Sequence, residues 1–597
     1  MSFDPATGDF WVGDVGWELW EMVYRIEKGG NYGWSLTEGP QTVHQERERG
    51  PTPILPPTVA HPHTEAYSVT GGYAYHGSQL TELAGAYIYG DYVTGKIWGL
   101  RFEDGKVTWH EELCDTPLAI VCFGVDHEQE LYVVHYGEAG TIHRLVANPP
   151  SDNNREFPTR LSETGLFVSV EDQQPSPGVI PYSINAEPWA DHAVAQRFLA
   201  IPAASVDAGE RLPLKLGTYN AQPQFPADTV FAKTLSLEME HGNPASRRHI
   251  ETQLFQYDPQ IETWRPYSYA WNDEQTDATL VDAEGTQRSF EIIDATAPGG
   301  RRTHVWRFAS RTECLICHNS YNNGSILGFH VSQLNRNHDY GPVTDNQLRA
   351  LAHVGLIEET GEPTSAPVLA ATSDASQDLQ ARAQAYLHVN CAHCHRNGGG
   401  GTAWFHVRAD TPLEQSNLLG RRPSQGTFGI HGAQLVAPGD PYRSVLVYRV
   451  AKTGRGRMPH LGSELTDVEG VILLHDWITG MPESVDFAED ASKPDGTATA
   501  DRAARQSLRA EQFALLGELR DRTTGDVQPL LDRLFSSTSG ALVLLHAIDT
   551  ASLTQPVREA SVATAMKHPD PVIRDLFERF APQSERSERL GSAVGAD

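Results

Sequence analysis

The sequence predicts a multidomain chain in which a partial β-propeller and a β-sandwich-like module precede α-helical domain(s) and a helical tail. Three observations carry that expectation. Short aromatic or alternating segments bounded by Gly, Asp and Asn recur through residues 1–148, as antiparallel hairpins require. Strand-like runs continue to residue 302. Apolar residues at helical spacing then take over, around two copies of the pattern Cys-x-x-Cys-His.

The 597 residues suit about four domains and several buried cores. Lys and Arg total 47 against 77 Asp and Glu, a formal charge of −30. That balance argues against nucleic acid and anionic membrane as partners. No run of about 18 apolar residues occurs, so no transmembrane segment is expected. The opening MSFDPATGDF has neither a basic nor an apolar leader region and is not a signal peptide.

In residues 1–148 the strands are expected at Ala86–Tyr92, Lys96–Phe102, Lys106–Glu112, Glu130–Tyr136 and Thr141–Val146. WVGDVG (Trp11–Gly16) and YIYGDYVTG (Tyr87–Gly95) echo each other, and such repetition suggests propeller blades. DPATGDFWVGDVGWELWEMVYRIEKGGNYGW, SVTGGYAYHG and AGAYIYGDYVTGKIWGL resemble the later blades of the glucose/sorbosone dehydrogenase family. The resemblance implies a six-bladed propeller that binds pyrroloquinoline quinone (PQQ) and calcium. Residues 1–148 supply two or three blades, and the family's catalytic histidine belongs to an earlier one. PQQ and calcium are therefore not expected in this chain as it stands, and its start is expected to be truncated.

NPPSDNN (Asn148–Asn154) reads as a linker. Residues 156–302 form the β-sandwich-like module, with strands expected at Asp228–Glu240 and Arg247–Asp258. Residues 303–365 hold the first Cys-x-x-Cys-His and a helix over Thr344–Glu359. Ser365–Asp378 reads as a linker. Residues 378–484 form a helical domain: a helix over Asp378–His395 runs into the second motif, and an amphipathic helix over Leu465–Gly480, capped by Thr466, closes it. A second linker is expected over Ser492–Ala504, and residues 500–597 read as a helical packing or connecting segment.

Four of the six cysteines lie in the two motifs: Cys314 and Cys317 before His318, and Cys391 and Cys394 before His395. Cys114 and Cys122 read as small buried hydrophobes. Cys-x-x-Cys-His is the attachment signature of c-type haem: two thiols bond the vinyl groups and the adjacent histidine ligates the iron. This chain's own residue frequencies predict only about 0.002 chance occurrences. The rival is a four-cysteine zinc site, but 73 residues separate Cys317 from Cys391, against the roughly 15–20 of a zinc ribbon. A thioredoxin-like pair would need a flanking βαβ unit.

Met458, in RGRMPHLG, is the expected distal ligand of the second haem, with His460 as the alternative. The first motif has no clear distal partner; His330, His338, His353, Met239, His241 and His249 are the candidates, and a five-coordinate iron is the other option. NCAHCHRNGG, PGDPYRSVL and RMPHLGSELTDVEGVILLHDWI resemble the cytochrome c domains of planctomycete-type multidomain proteins; SRTECLICHN and LGFHVSQLNR resemble a block that accompanies them. The resemblance implies two haem c groups, electron transfer with redox partner proteins, and a periplasmic or extracytoplasmic location. The alternative is a fragment of a PQQ-dependent sugar or alcohol dehydrogenase fused to a haem relay. Donor, acceptor and oligomeric state are not encoded legibly.

Overall fold

A computed structural model describes residues 1–147, 157–482 and 495–581, with Arg586, apart from 18, 44–46, 138–139, 203–211, 220–224, 259–262, 296, 319–325, 360, 362, 398, 402, 455 and 523–525. The linker expected over Asn148–Asn154 and the last ten residues lie outside the described residues.

The amino-terminal part is built on three successive antiparallel sheets, plus a short hairpin of Thr37–Glu38 with Gln41–Thr42. The first joins β1 (Ser2–Phe3), β2 (Phe10–Asp14), β3 (Trp20–Ile26) and β4 (Val59–Pro62). The second is the meander β5 (Val69–Ala74), β6 (Tyr87–Asp91), β7 (Lys96–Glu103) and β8 (Lys106–Asp115); the third is β9 (Ile120–Val125), β10 (Leu131–His135) and β11 (Thr141–Arg144). Each sheet packs face to face on the next. Trp11, Val23, Tyr87 and Trp98 fill the first seam. Ile88, Ile97, Ile120, Phe123 and Val133 fill the second. Strand β5 touches both β2 and β9, and the approach is tight: a Cβ on Gly13 would stand 2.8 Å from the amide nitrogen of Gly71. This is the stacking of propeller blades. Cys114 and Cys122 are free thiols and Cys122 is exposed, not buried as the sequence suggests, because it points away from the second seam.

The middle part is one six-stranded antiparallel sheet: β12 (Val179–Tyr182), β13 (Val194–Ala200), β14 (Val230–Glu238), β15 (Arg247–Asp258), β16 (Thr263–Trp271) and β17 (Ala278–Leu280). Alternation along the strands separates two apolar faces. Leu199 and Phe231 point to one, Phe198, Ala232 and Leu254 to the other. Among the described residues, the further strands packed on this sheet are a short pair, Phe167–Ser169 with Gln174–Pro175, and a hairpin at one end. One face is covered by Leu334, Leu348 and Leu351 from short helices, the other by Leu161 and Phe167. A hairpin of β18 (Thr286–Ile293) and β19 (Arg301–Phe308) closes one end. Strand β19 crosses the boundary expected between residues 302 and 303, so the first motif grows directly out of this module.

Helices α1 (Arg311–His318), α2 (Val331–Leu334) and α3 (Gln347–His353) follow. The helix expected over Thr344–Glu359 is shorter, because Thr344–Asn346 pairs with Asn337–Asp339 and Gly355 turns at φ +74°. Leu369 is buried beside Ala186 and Ala385, so the Ser365–Asp378 stretch packs against the body of the protein.

Helices α4 (Leu379–Asn390), α5 (Val445–Ala451) and α6 (Val468–Thr479) precede α7 (Asp495–Arg520), α8 (Gln528–Leu534), α9 (Thr538–Asp549), α10 (Gln555–Met566) and α11 (Pro571–Phe577). One core runs from Ala383 through Trp477 to Phe577, so the carboxy-terminal helices complete the core of the motif-bearing one. Helix α4 stops at Asn390, short of the expected His395, and the second motif lies in the turn beyond it. Asp467, not Thr466, caps α6 by accepting from the Gly470 amide. The linker expected over Ser492–Ala504 is largely helix α7, since its Ala and Arg residues favour helix once it packs. No helix among the described residues is long and apolar enough to cross a membrane.

Candidate functional site

The first motif sits on a helix locked at its start. Ser310, Arg311, Thr312 and Glu313 form a capping box: the Glu313 amide donates to Ser310 Oγ at 3.1 Å, and the Ser310 amide donates to Glu313 Oε2 at 2.9 Å. Arg307 on β19 donates to both Glu313 oxygens at 2.8 Å, which ties the helix to the sheet. Helix α1 then lies over the sheet face. The Arg311 guanidinium covers Tyr267, and the His318 ring packs on Phe255 with centroids 4.2 Å apart. Beneath it, buried Glu251 accepts from Ser268 Oγ at 2.7 Å and Trp306 Nε1 at 2.9 Å. Burial pushes the Cys314 thiol up to about 12. Glu313→Ala should cost about 2 kcal/mol through loss of the cap and the charged hydrogen bonds, read as a lower urea midpoint; an unchanged midpoint would refute the anchoring.

The second motif is a glycine-wrapped turn. The Cys394 and His395 amides donate to the Cys391 carbonyl at 3.2 and 2.9 Å. A Cβ on Gly399 would stand 2.2 Å from the Cys394 carbonyl, and one on Gly401 would stand 3.0 Å from His395 Nδ1. The run Gly399–Gly401 is therefore what lets the chain close on the histidine. His395 is 8% exposed and stacks on Phe405 at 4.1 Å. Burial is the main cause that pushes it down to about 4. Its Nδ1 is buried without a hydrogen-bond partner. A buried, neutral imidazole with an unsatisfied nitrogen has the form of a ligand histidine.

The structure brings the two motifs together. The Cys317 and Cys394 sulfurs lie with His393 in a group whose ligand atoms are within 4.8 Å of one another. Cys314 and Cys391 stand outside that group, so the four sulfurs do not converge on a tetrahedral zinc site. Burial raises Cys391 to about 12. The seam is fixed by a loop of the β module that enters the helical part. The Trp189 amide donates to Asn390 Oδ1 at 2.8 Å, and Asp191 accepts from the Glu464 and Leu465 amides at 2.6 and 2.9 Å.

Met458 is half-buried in the loop after α5, and its amide donates to the Arg449 carbonyl at 2.9 Å. Arg449 Nε donates to the Gly456 carbonyl at 2.7 Å, and its charge also reaches His395, so it is the shared neighbour of the Met458 loop and the second motif. The other candidates for the first site are dispersed. His330 packs 5.6 Å from His388 of α4, His338 bonds Ser183, His249 bonds Ser236, and His241 faces His192. Sequence reading missed His393 and the capping box; the pattern Ser-x-x-Glu immediately before Cys-x-x-Cys-His was its available signal.

Residues 1–144 match the sequence model of the Glucose / Sorbosone dehydrogenase family. The amino-terminal segment is similar to that family. The HIPL1 protein of Arabidopsis thaliana is 35% identical to the chain over 111 residues, 16% of each protein. The HIPL2 protein of the same plant is 30% identical over 109 residues, again 16% of each. The chain thus spans about a sixth of the length of these curated relatives. A solved glucose dehydrogenase is 20% identical over 24% of this chain and 43% of its own, with a TM-score of 0.21. The aldose sugar dehydrogenase of Streptomyces coelicolor is 14% identical over 24% of this chain and 40% of its own, with a TM-score of 0.19. The family model's match lies in about the first quarter of the chain.

Proposed function

We propose that this chain is an electron carrier that holds two c-type haems, one on Cys314, Cys317 and His318 and one on Cys391, Cys394 and His395, in an extracytoplasmic redox chain. The observation that carries the reading is the meeting of the two motifs at Cys317 and Cys394. Residues that anchor two redox groups and touch each other keep those groups close, and closeness is what a relay needs. Bound at these motifs, haem supplies reversible one-electron iron chemistry. The chain's own residues anchor, orient and desolvate. The capped helix α1 fixes His318 against Phe255, and the glycine turn and Phe405 fix His395. Met458 is the nearest thioether in the sequence to serve the second site, and a His/Met pair raises the potential.

The test is to express the full chain behind a signal peptide in a strain that matures c-type haem. Intact mass should rise by two haem masses. C314A/C317A and C391A/C394A should each lose one, and Met458→Ala should lower the potential of the centre that C391A/C394A removes. Protein that carries zinc and no haem would overturn the reading.

The match of residues 1–144 favours a second reading, that the chain is part of a quinoprotein sugar or alcohol dehydrogenase whose electrons leave through this relay. Reduction of the haems by an aldose, seen only when the chain is joined to further propeller blades and PQQ is added, would select it.

A further inference from the structure

We infer that His475, Asp476 and His546 form a binding site for one divalent transition-metal ion of the zinc class, separate from the motif cysteines and independent of the haem reading. The three residues come from two helices, α6 and α9, and their ligand atoms lie within 4.8 Å of one another. The imidazoles of His475 and His546 are stacked with centroids 3.5 Å apart and planes 16° apart, so their in-plane lone pairs run side by side, and an ion that takes both nitrogens requires the His546 ring to turn out of the stack. His475 Nδ1 is 3.0 Å from Asp476 Oδ1, and its Nε2 is 3.0 Å from the Tyr442 hydroxyl. His546 Nδ1 is buried and has no hydrogen-bond partner.

The donor set is two nitrogens and one carboxylate oxygen, with no sulfur. Zinc takes such sets readily, with water in a fourth position. The Asp476 side chain is 55% exposed, which leaves the site open to an ion from solvent. An ion between His475 Nδ1 and the Asp476 carboxylate uses the tautomer of the neutral ring whose proton is on Nε2, where it can donate to the Tyr442 hydroxyl. Burial keeps both imidazoles neutral, the ligand form, and pushes His546 down to about 4. The nearby Arg509 donates to the Gly439 carbonyl at 3.0 Å and lies 3.9 Å from Asp440, so its charge is matched away from the site. Helix α6 belongs to the part that carries the second motif and α9 to the carboxy-terminal helices, so the ion would pin one to the other.

The probes are Zn2+ and Co2+ added to the chelator-treated full chain. Zinc should raise the melting temperature by several degrees, and cobalt should give visible bands without sulfur charge transfer for one equivalent. Asp476→Asn, an exposed change that spares the fold, and His546→Gln should each abolish that equivalent or weaken it at least tenfold. Zinc stoichiometry and melting shift equal to wild type in both variants would overturn the site, as would a cobalt spectrum with sulfur bands only, which places the ion on Cys317 and Cys394.

Discussion

Gly470→Val should unfold the helix pair that presents the second motif. Helices α4 and α6 cross at this glycine, where a Cβ would stand 2.4 Å from the Tyr386 ring. Neither side can yield cheaply. Tyr386 is 5% exposed and also interacts with Asp467, the residue that caps α6. Overpacking of this kind costs about 3 kcal/mol. Alanine is the milder test, because its better helix propensity, worth about 1 kcal/mol, offsets part of the clash. The result is read as a lower midpoint in urea. Tyr386→Leu in the same chain removes the ring and should restore part of the loss, so the two changes are not additive. Under the proposed function, Gly470→Val also loses the haem of the second motif before that of the first. A midpoint within about 0.5 kcal/mol of wild type would show that the crossing tolerates a side chain.

Local pattern made much of the fold legible. Alternation marks Arg247–Asp258 as a strand with the bounds it has in the structure, and the aromatic hairpins of the amino-terminal segment fall where Gly and Asp punctuate them. The two Cys-x-x-Cys-His motifs stand out because their spacing is improbable, but nothing in the sequence places them in contact. That contact depends on Trp189 and Asp191, which lie about 200 residues from Asn390 and 270 from Leu465. No periodicity reports such long-range docking. Composition misleads at Ser492–Ala504, where Ser, Pro, Asp and Gly suggest a linker. Packing of Leu515, Leu516 and Leu519 into the shared core carries the helix back through Ala498, Ala500 and Ala503. The second layer of the sandwich-like module is illegible for a related reason. The six-stranded sheet has two apolar faces, covered by α2, α3, loops and short strand pairs, and a strand's alternation is the same whichever element it packs against.

Acid should open the contact between α4 and the segment that leads into α2. His330 and His388 meet there, 3% and 9% exposed, with ring centroids 5.6 Å apart. Burial pushes their pKa values down to about 3 and about 4, and the neighbouring His388 lowers His330 further. In the unfolded chain a histidine protonates near 6.5. Below that pH the unfolded state therefore binds more protons than the folded one, and stability falls as pH drops from about 6.5 toward 4. Each imidazole contributes on the order of 3 kcal/mol to that loss by pH 4. Buried carboxyls run the other way. Asp191, pushed up to about 6 by burial, takes up its proton in the folded state first and offsets part of the loss. The effect is isolated by comparing wild type with His388→Gln, whose side-chain oxygen can still accept from the Ala409 amide as His388 Nδ1 does. At pH 8 the two should have similar urea midpoints. By pH 4 the variant should be the more stable by about 2–3 kcal/mol, and in the haem-free chain its Cys394 should stay protected from thiol reagents where that of wild type becomes reactive. Parallel pH profiles for the two proteins would show that the contact does not titrate through His388.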